Sequence, residues 1–164
     1  MTESAVIRVS DGQFSITGGY DYEVESADWS NTLAAPMDHG AYIITGIHAG
    51  PVNVETRITS TPPPAETEGW EEVVEVSVHA DEVDLALNYW SGHGPSTPPA
   101  LSDQGPGWYR MRVHARGRTL EPDGVSEEPI EDYLITTWPQ QPAAPTVLRS
   151  SERIEAGLRR AGRA

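Results

Sequence analysis

The sequence predicts an all-β protein: an antiparallel β-sandwich of about eight strands over residues 1–140, followed by a Pro-rich spacer and a short basic tail over 141–164 with helix-forming character. Three observations lead there. Apolar and polar residues alternate with period two in segment after segment. The segments are separated by short stretches rich in Gly, Pro and Asp. No long amphipathic helix lies between them, and a parallel sheet needs a crossover of about a dozen residues, usually helical, so the strands should pair antiparallel.

The elements follow in order. Ala5–Val9 and Gln13–Thr17 flank Asp11-Gly12, a dipeptide suited to a type I′ hairpin turn. Ala41–His48 alternates Tyr42, Ile44 and Gly46 against Ile43, Thr45 and Ile47. After Ala49-Gly50-Pro51, the residues Val52, Val54, Thr56 and Ile58 alternate with Asn53, Glu55, Arg57 and Thr59, which gives one dry and one wet face. Trp70–His79 sets Val74, Val76 and Val78 against Val73, Glu75, Ser77 and His79. Val83–Tyr89 places Val83, Leu85, Leu87 and Tyr89 together. Tyr109, Met111 and Val113 alternate with Arg110, Arg112 and His114, and Glu131–Trp138 closes the set before Pro139. Residues 18–40, 61–69 and 91–107 read as long connections, the last too rich in Gly and Pro for regular structure. Residues 139–148 are the spacer. Residues 150–160 form a short capped helix if they have a surface to dock on, since a helix of that length is marginal alone.

Composition narrows the function classes. At 164 residues the chain suits one domain. Cysteine is absent, which removes disulfides and thiolate metal sites. There is no apolar run of ~18 residues to cross a bilayer, and Met1-Thr2-Glu3-Ser4 lacks the layout of a secretory signal, so the expected location is the cytoplasm. Net charge is −14. All 11 basic residues are Arg, a usage that a GC-rich genome produces and that carries no mechanistic weight. Residues 1–148 hold 23 acids and six Arg, whereas 149–164 hold two Glu and five Arg. An acidic body repels phosphate backbones, which disfavours nucleic-acid binding. The acidity serves solubility, or steers the body towards a basic partner.

Two constellations carry chemistry-bearing residue types. Ile47-His48-Ala49, Val78-His79-Ala80 and Val113-His114-Ala115 repeat at strand ends. In an up-and-down sheet they would share one rim, where three imidazoles converging at ~2 Å can hold a divalent ion. Exposed histidines on polar strand faces are the plainer alternative. His93, Ser96 and Asp103 have the residue types of a hydrolase triad, but a Gly/Pro loop supplies neither a rigid base nor an oxyanion hole, and they carry no catalytic expectation. Glu71-Glu72 and Glu127-Glu128 read as solvated strand edges. No cofactor motif is present, and the expected cofactor set is empty.

The aromatic set is skewed: five Trp and six Tyr against one Phe. Rings at strand ends either plug the sandwich or form a recognition surface, since Trp and Tyr dominate binding hot spots. Trp90 and Trp108 adjoin the long 91–107 connection and, with Tyr109, are the candidate partner-binding residues.

Gly107–Arg118, followed by Glu131–Pro139, resembles the closing hairpin of small actinobacterial β proteins of unassigned role. It is distantly similar to the ComJ-like family, acidic β proteins that inhibit a nuclease encoded beside them. In both, a Tyr-rich strand leads through a polar loop to an acidic-aromatic strand. The likeness covers about a quarter of the chain and transfers no functional residue. It implies a partner-binding inhibitor or immunity-type protein. The leading expectation is therefore a non-enzymatic protein-binding module for a basic partner. The alternative is a small-molecule or carbohydrate-binding β-barrel with a metal held by His48, His79 and His114.

Overall fold

The computed structural model describes residues 2–18, 24–88 and 99–163. Their strands are β1 (Thr2–Val9), β2 (Gln13–Thr17), β3 (Ala34–Met37), β4 (Gly40–Ile44), β5 (Gly50–Ile58), β6 (Glu72–Ala80), β7 (Ala86–Asn88), β8 (Gly107–Arg116), β9 (Asp132–Pro139) and β10 (Thr146–Arg149), followed by one helix, α1 (Glu152–Arg160). A six-stranded sheet, β1-β5-β9-β8-β6-β10, faces a four-stranded sheet, β3-β4-β2-β7. The core lies between them. Val52, Val54, Val74, Val76, Val78, Met111, Val113 and Ile135 from one sheet meet Phe14, Ile16, Ile43 and Leu87 from the other. Phe14 sits edge-on to Tyr133, with ring centroids 5.3 Å apart.

The all-β expectation holds, with two differences in pairing. Asp11 and Gly12 adopt positive φ values of 57° and 72°, as a type I′ turn requires. Yet β1 pairs with β5 and β2 with β4, so this turn carries the chain from one sheet to the other. Second, β5 and β9 run parallel. The crossover that a parallel pair needs is supplied by strands β6 to β8 rather than by a helix. The connection expected over 18–40 also holds an edge strand, β3, whose Ala-Ala-Pro-Met sequence lacks the β-branched residues that signal one.

The outer face of the six-stranded sheet is drier than its polar sequence implies. Arg110, Arg112 and His114 are all buried. Arg110 and Arg112 both pair with Glu75, at 3.3 and 2.8 Å. Each guanidinium then binds the carbonyls of a Pro-rich strap: Arg112 those of Pro64 and Pro63, Arg110 those of Ala143 and Ala144. Extended Pro-rich backbone has carbonyls with no internal partner, so alternate arginines on β8 are matched to it. The Arg112 guanidinium also lies 5.0 Å from the Trp138 ring centroid.

The boundary expected at residue 140 is not an edge of the fold. β10 pairs with β6, and Ile154 of α1 is fully buried in the main core. Ser151 caps α1 by accepting from the Ile154 amide at 3.1 Å. The same hydroxyl donates to Glu72 Oε2 at 2.7 Å, which also receives Arg118 Nη1 at 2.7 Å. Glu131, fully buried, accepts from the Gly46 and Ile47 amides and from the Tyr133 hydroxyl. The segment read as a tail is thus joined to the sandwich through apolar and charged groups alike. Among the described residues no helix is long and apolar enough to cross a membrane.

Candidate functional site

At the end of the sandwich where β6 finishes and β8 begins, the β6–β8 register sets His79 opposite Trp108. Their ring centroids are 5.1 Å apart, edge to face. Behind His79 stands His39, from the turn between β3 and β4, at 5.7 Å. His39 Nε2 in turn lies 3.8 Å from Asp81 Oδ2. This stack leaves Trp108 41% exposed, large for an indole in a well-packed sandwich. The edge-to-face contact with His79 packs the indole from one side.

The surrounding chain is acidic. Asp81, Glu82 and Asp84 follow β6, Asp103 precedes β8, and all four are exposed. The two segments are tied together: the Leu85 amide donates to Ser102 Oγ at 2.8 Å and the Leu101 amide to the Leu85 carbonyl at 2.6 Å. Neither 79–88 nor 99–109 contains an arginine. Val83, 61% exposed, adds an apolar point among the carboxylates. An aromatic ring, an aliphatic contact and several carboxylates in segments that hold no arginine are the chemistry that receives Arg or Lys side chains.

The other candidate residues separate. Tyr109 is only 2% exposed; its hydroxyl accepts from the Gln104 amide at 2.9 Å and donates to the Gly105 carbonyl at 2.7 Å. Burial raises its pKa, and the charges of Asp103 and Asp84 add to the effect. Tyr109 faces the core, as its odd position on β8 dictates, and its hydroxyl shapes the turn before Trp108. Trp90, His93 and Ser96 lie outside the described residues.

The three histidines do not converge. His79 and His114 both sit near the C-terminal ends of their strands, but β6 and β8 are adjacent and antiparallel, so those ends point opposite ways. His114 is opposite Val73, six residues along β6 from His79, a separation of about 20 Å at ~3.3 Å per residue. The up-and-down arrangement that would have put all three on one rim is not the one adopted. His114 is buried against Trp70, with Nε2 2.7 Å from the Glu66 carbonyl oxygen, and burial lowers its pKa. His48 is exposed between Asp11 and Asp123, at 3.9 and 3.6 Å. Among the described residues no group of three His, Cys, Asp or Glu is placed to hold a metal ion.

Sequence reading missed His39, and with it the support that fixes Trp108. The Asp38-His39-Gly40 turn lies within a connection that showed no periodicity, so nothing placed it beside β6. The acidic cluster was legible as Asp81-Glu82-Val83-Asp84, but its Asp-Glu start reads equally as a solvated turn.

No family model and no curated protein matches the chain. Among solved structures it is similar to a protein titled "Crocagin biosynthetic gene J", with a TM-score of 0.50 and 14% sequence identity over 86% of this chain and 99% of that one. At that identity the likeness concerns the fold alone.

Proposed function

We propose that this chain is a non-catalytic protein-binding module, of inhibitor or immunity type, that engages a basic partner in the cytoplasm through the rim around Trp108. The observation that carries the reading is an exposed indole packed against His79, with Asp81, Glu82, Asp84 and Asp103 and no arginine in the two chain segments that meet at this rim. Binding hot spots concentrate in such aromatic anchors, and the surrounding charge governs how fast a partner arrives. The net charge of −14 acts in the same direction at longer range. The segments that resemble the ComJ-like family form the β8–β9 pair, whose first strand carries Trp108.

The test is affinity capture from an extract of the source organism with the wild-type chain and with Trp108→Ala, each at low and high salt. A basic protein retained by the wild type, released by salt and lost with Trp108→Ala is the expected result. Proteins retained equally by both chains, or none retained by either, would overturn the reading.

A further inference from the structure

The loop before β3 and the last turn of α1 enclose an open hollow of about 540 Å³, lined by Asp28, Trp29, Ser30, Gly157, Arg160 and Arg163 among others. Close docking of the helix creates it. A Cβ at Gly157 would collide with Thr32 Cγ2 and the Ser30 carbonyl oxygen, so only glycine lets the last turn come this near. Trp29 stacks on Tyr42 with centroids 5.1 Å apart and planes 20° from parallel, which spends one indole face and fixes the ring. Trp29 remains 37% exposed and lines the hollow.

The charge here runs against that of the molecule. Asp28 is already engaged, accepting from the Ser30 amide at 3.1 Å and from Arg163 Nη1. Arg163 Nη1 also donates to Ser30 Oγ at 2.9 Å, which orients its guanidinium at the wall. Arg160 is exposed and has no hydrogen bond or ion pair among the described residues. Two arginines against one engaged carboxylate leave the hollow positive in a chain of net charge −14. The guanidinium groups also offset the partial negative charge of the helix C-terminus.

We propose that this hollow is a second site, separate from the Trp108 rim, for a small planar anion: an aromatic ring bearing a phosphate or carboxylate. The ring lies along Trp29, and the anionic group meets Arg160 and the remaining donors of Arg163. The volume is within the range of small-ligand sites. A planar ligand matches a flat indole, and a guanidinium forms paired hydrogen bonds with a phosphate or a carboxylate.

The test is calorimetric titration of the full chain with adenosine monophosphate and with indole-3-acetate, beside adenosine and inorganic phosphate as the separate halves. The aromatic anions should bind at millimolar concentrations or below, one more tightly than the other according to whether phosphate or carboxylate is preferred. Each half should bind more weakly. Arg160→Gln, at an exposed position, should weaken binding roughly tenfold, the scale of one charge-assisted hydrogen bond, while the chain stays folded. Failure of both aromatic anions to bind, equal binding by inorganic phosphate alone, or an unchanged affinity in Arg160→Gln would each overturn the proposal.

Discussion

Trp108 and His79 face each other across the β8–β6 ladder with ring centroids 5.1 Å apart, and His39 stands behind the imidazole at 5.7 Å. An exposed indole that is already held in place loses little conformational freedom on binding, which is how a preorganised anchor gains affinity. Removing the brace should therefore weaken binding without removing any group that touches the partner. His79→Ala should raise the dissociation constant for a captured basic partner about three- to tenfold, mainly through the off-rate, as surface plasmon resonance would read it. An unchanged off-rate would mean that the indole needs no support.

The C-terminal segment should prove integral to the fold. Ile154 is fully buried in the main core, and Ile154→Ala should cost about 2–5 kcal/mol in urea unfolding. Arg159→Ala, at an exposed position of the same helix, should cost within about 0.5 kcal/mol. A tail held only by surface ion pairs would show two small and similar losses.

How much of this was legible depended on which contacts were local. Period-two alternation placed β5, β6, β8 and β9 because each strand buries one face against the opposite sheet whatever its neighbours are. The same alternation misread the other face of β8. Arg110, Arg112 and His114 look solvated in sequence, and are covered because two Pro-rich segments far along the chain, around Pro63-Pro64 and Ala143-Ala144, lie over them. The tail was likewise read from its charge. Its five arginines concealed that Ile154 faces inward and that Ser151 is shared between the helix cap and Glu72. For the site, Trp108 was visible as an aromatic beside a long connection. The separation of His79 from His114 followed from strand order, which no local pattern encodes.

Glu75 tests the covered face. It lies between Arg110 and Arg112, both nearly inaccessible, and Glu75→Ala would leave two guanidinium groups with no carboxylate between them. Breaking such a buried pair costs about 3–5 kcal/mol, to be measured by denaturant unfolding, with the straps more open to proteolysis at 61–66 and 141–145. A loss below about 1 kcal/mol would show that water replaces the carboxylate readily.

His114 should make the protein sensitive to mild acid. Burial, foremost, lowers its pKa in the folded state, so as pH falls the unfolded chain takes up this proton first. Stability from this group is complete above the unfolded value of about 6.5 and declines below it, until pH reaches the lowered folded value. The slope is at most about 1.4 kcal/mol per pH unit. Comparing urea midpoints at neutral pH and in mild acid, His114→Leu should lose less than the wild type. An equal loss in both would assign the acid sensitivity to other groups.

The most direct test of the central claim is a binding footprint. The chain, labelled with ¹⁵N, is titrated with a short arginine-rich peptide, and the indole N–H resonances are assigned by single Trp→Phe variants. The Trp108 indole should shift first, together with the amides of Asp81 to Asp84 and Asp103, and raising salt should abolish the shifts. If the Trp108 indole stays still while the peptide binds elsewhere on the acidic surface, the rim is not the recognition site.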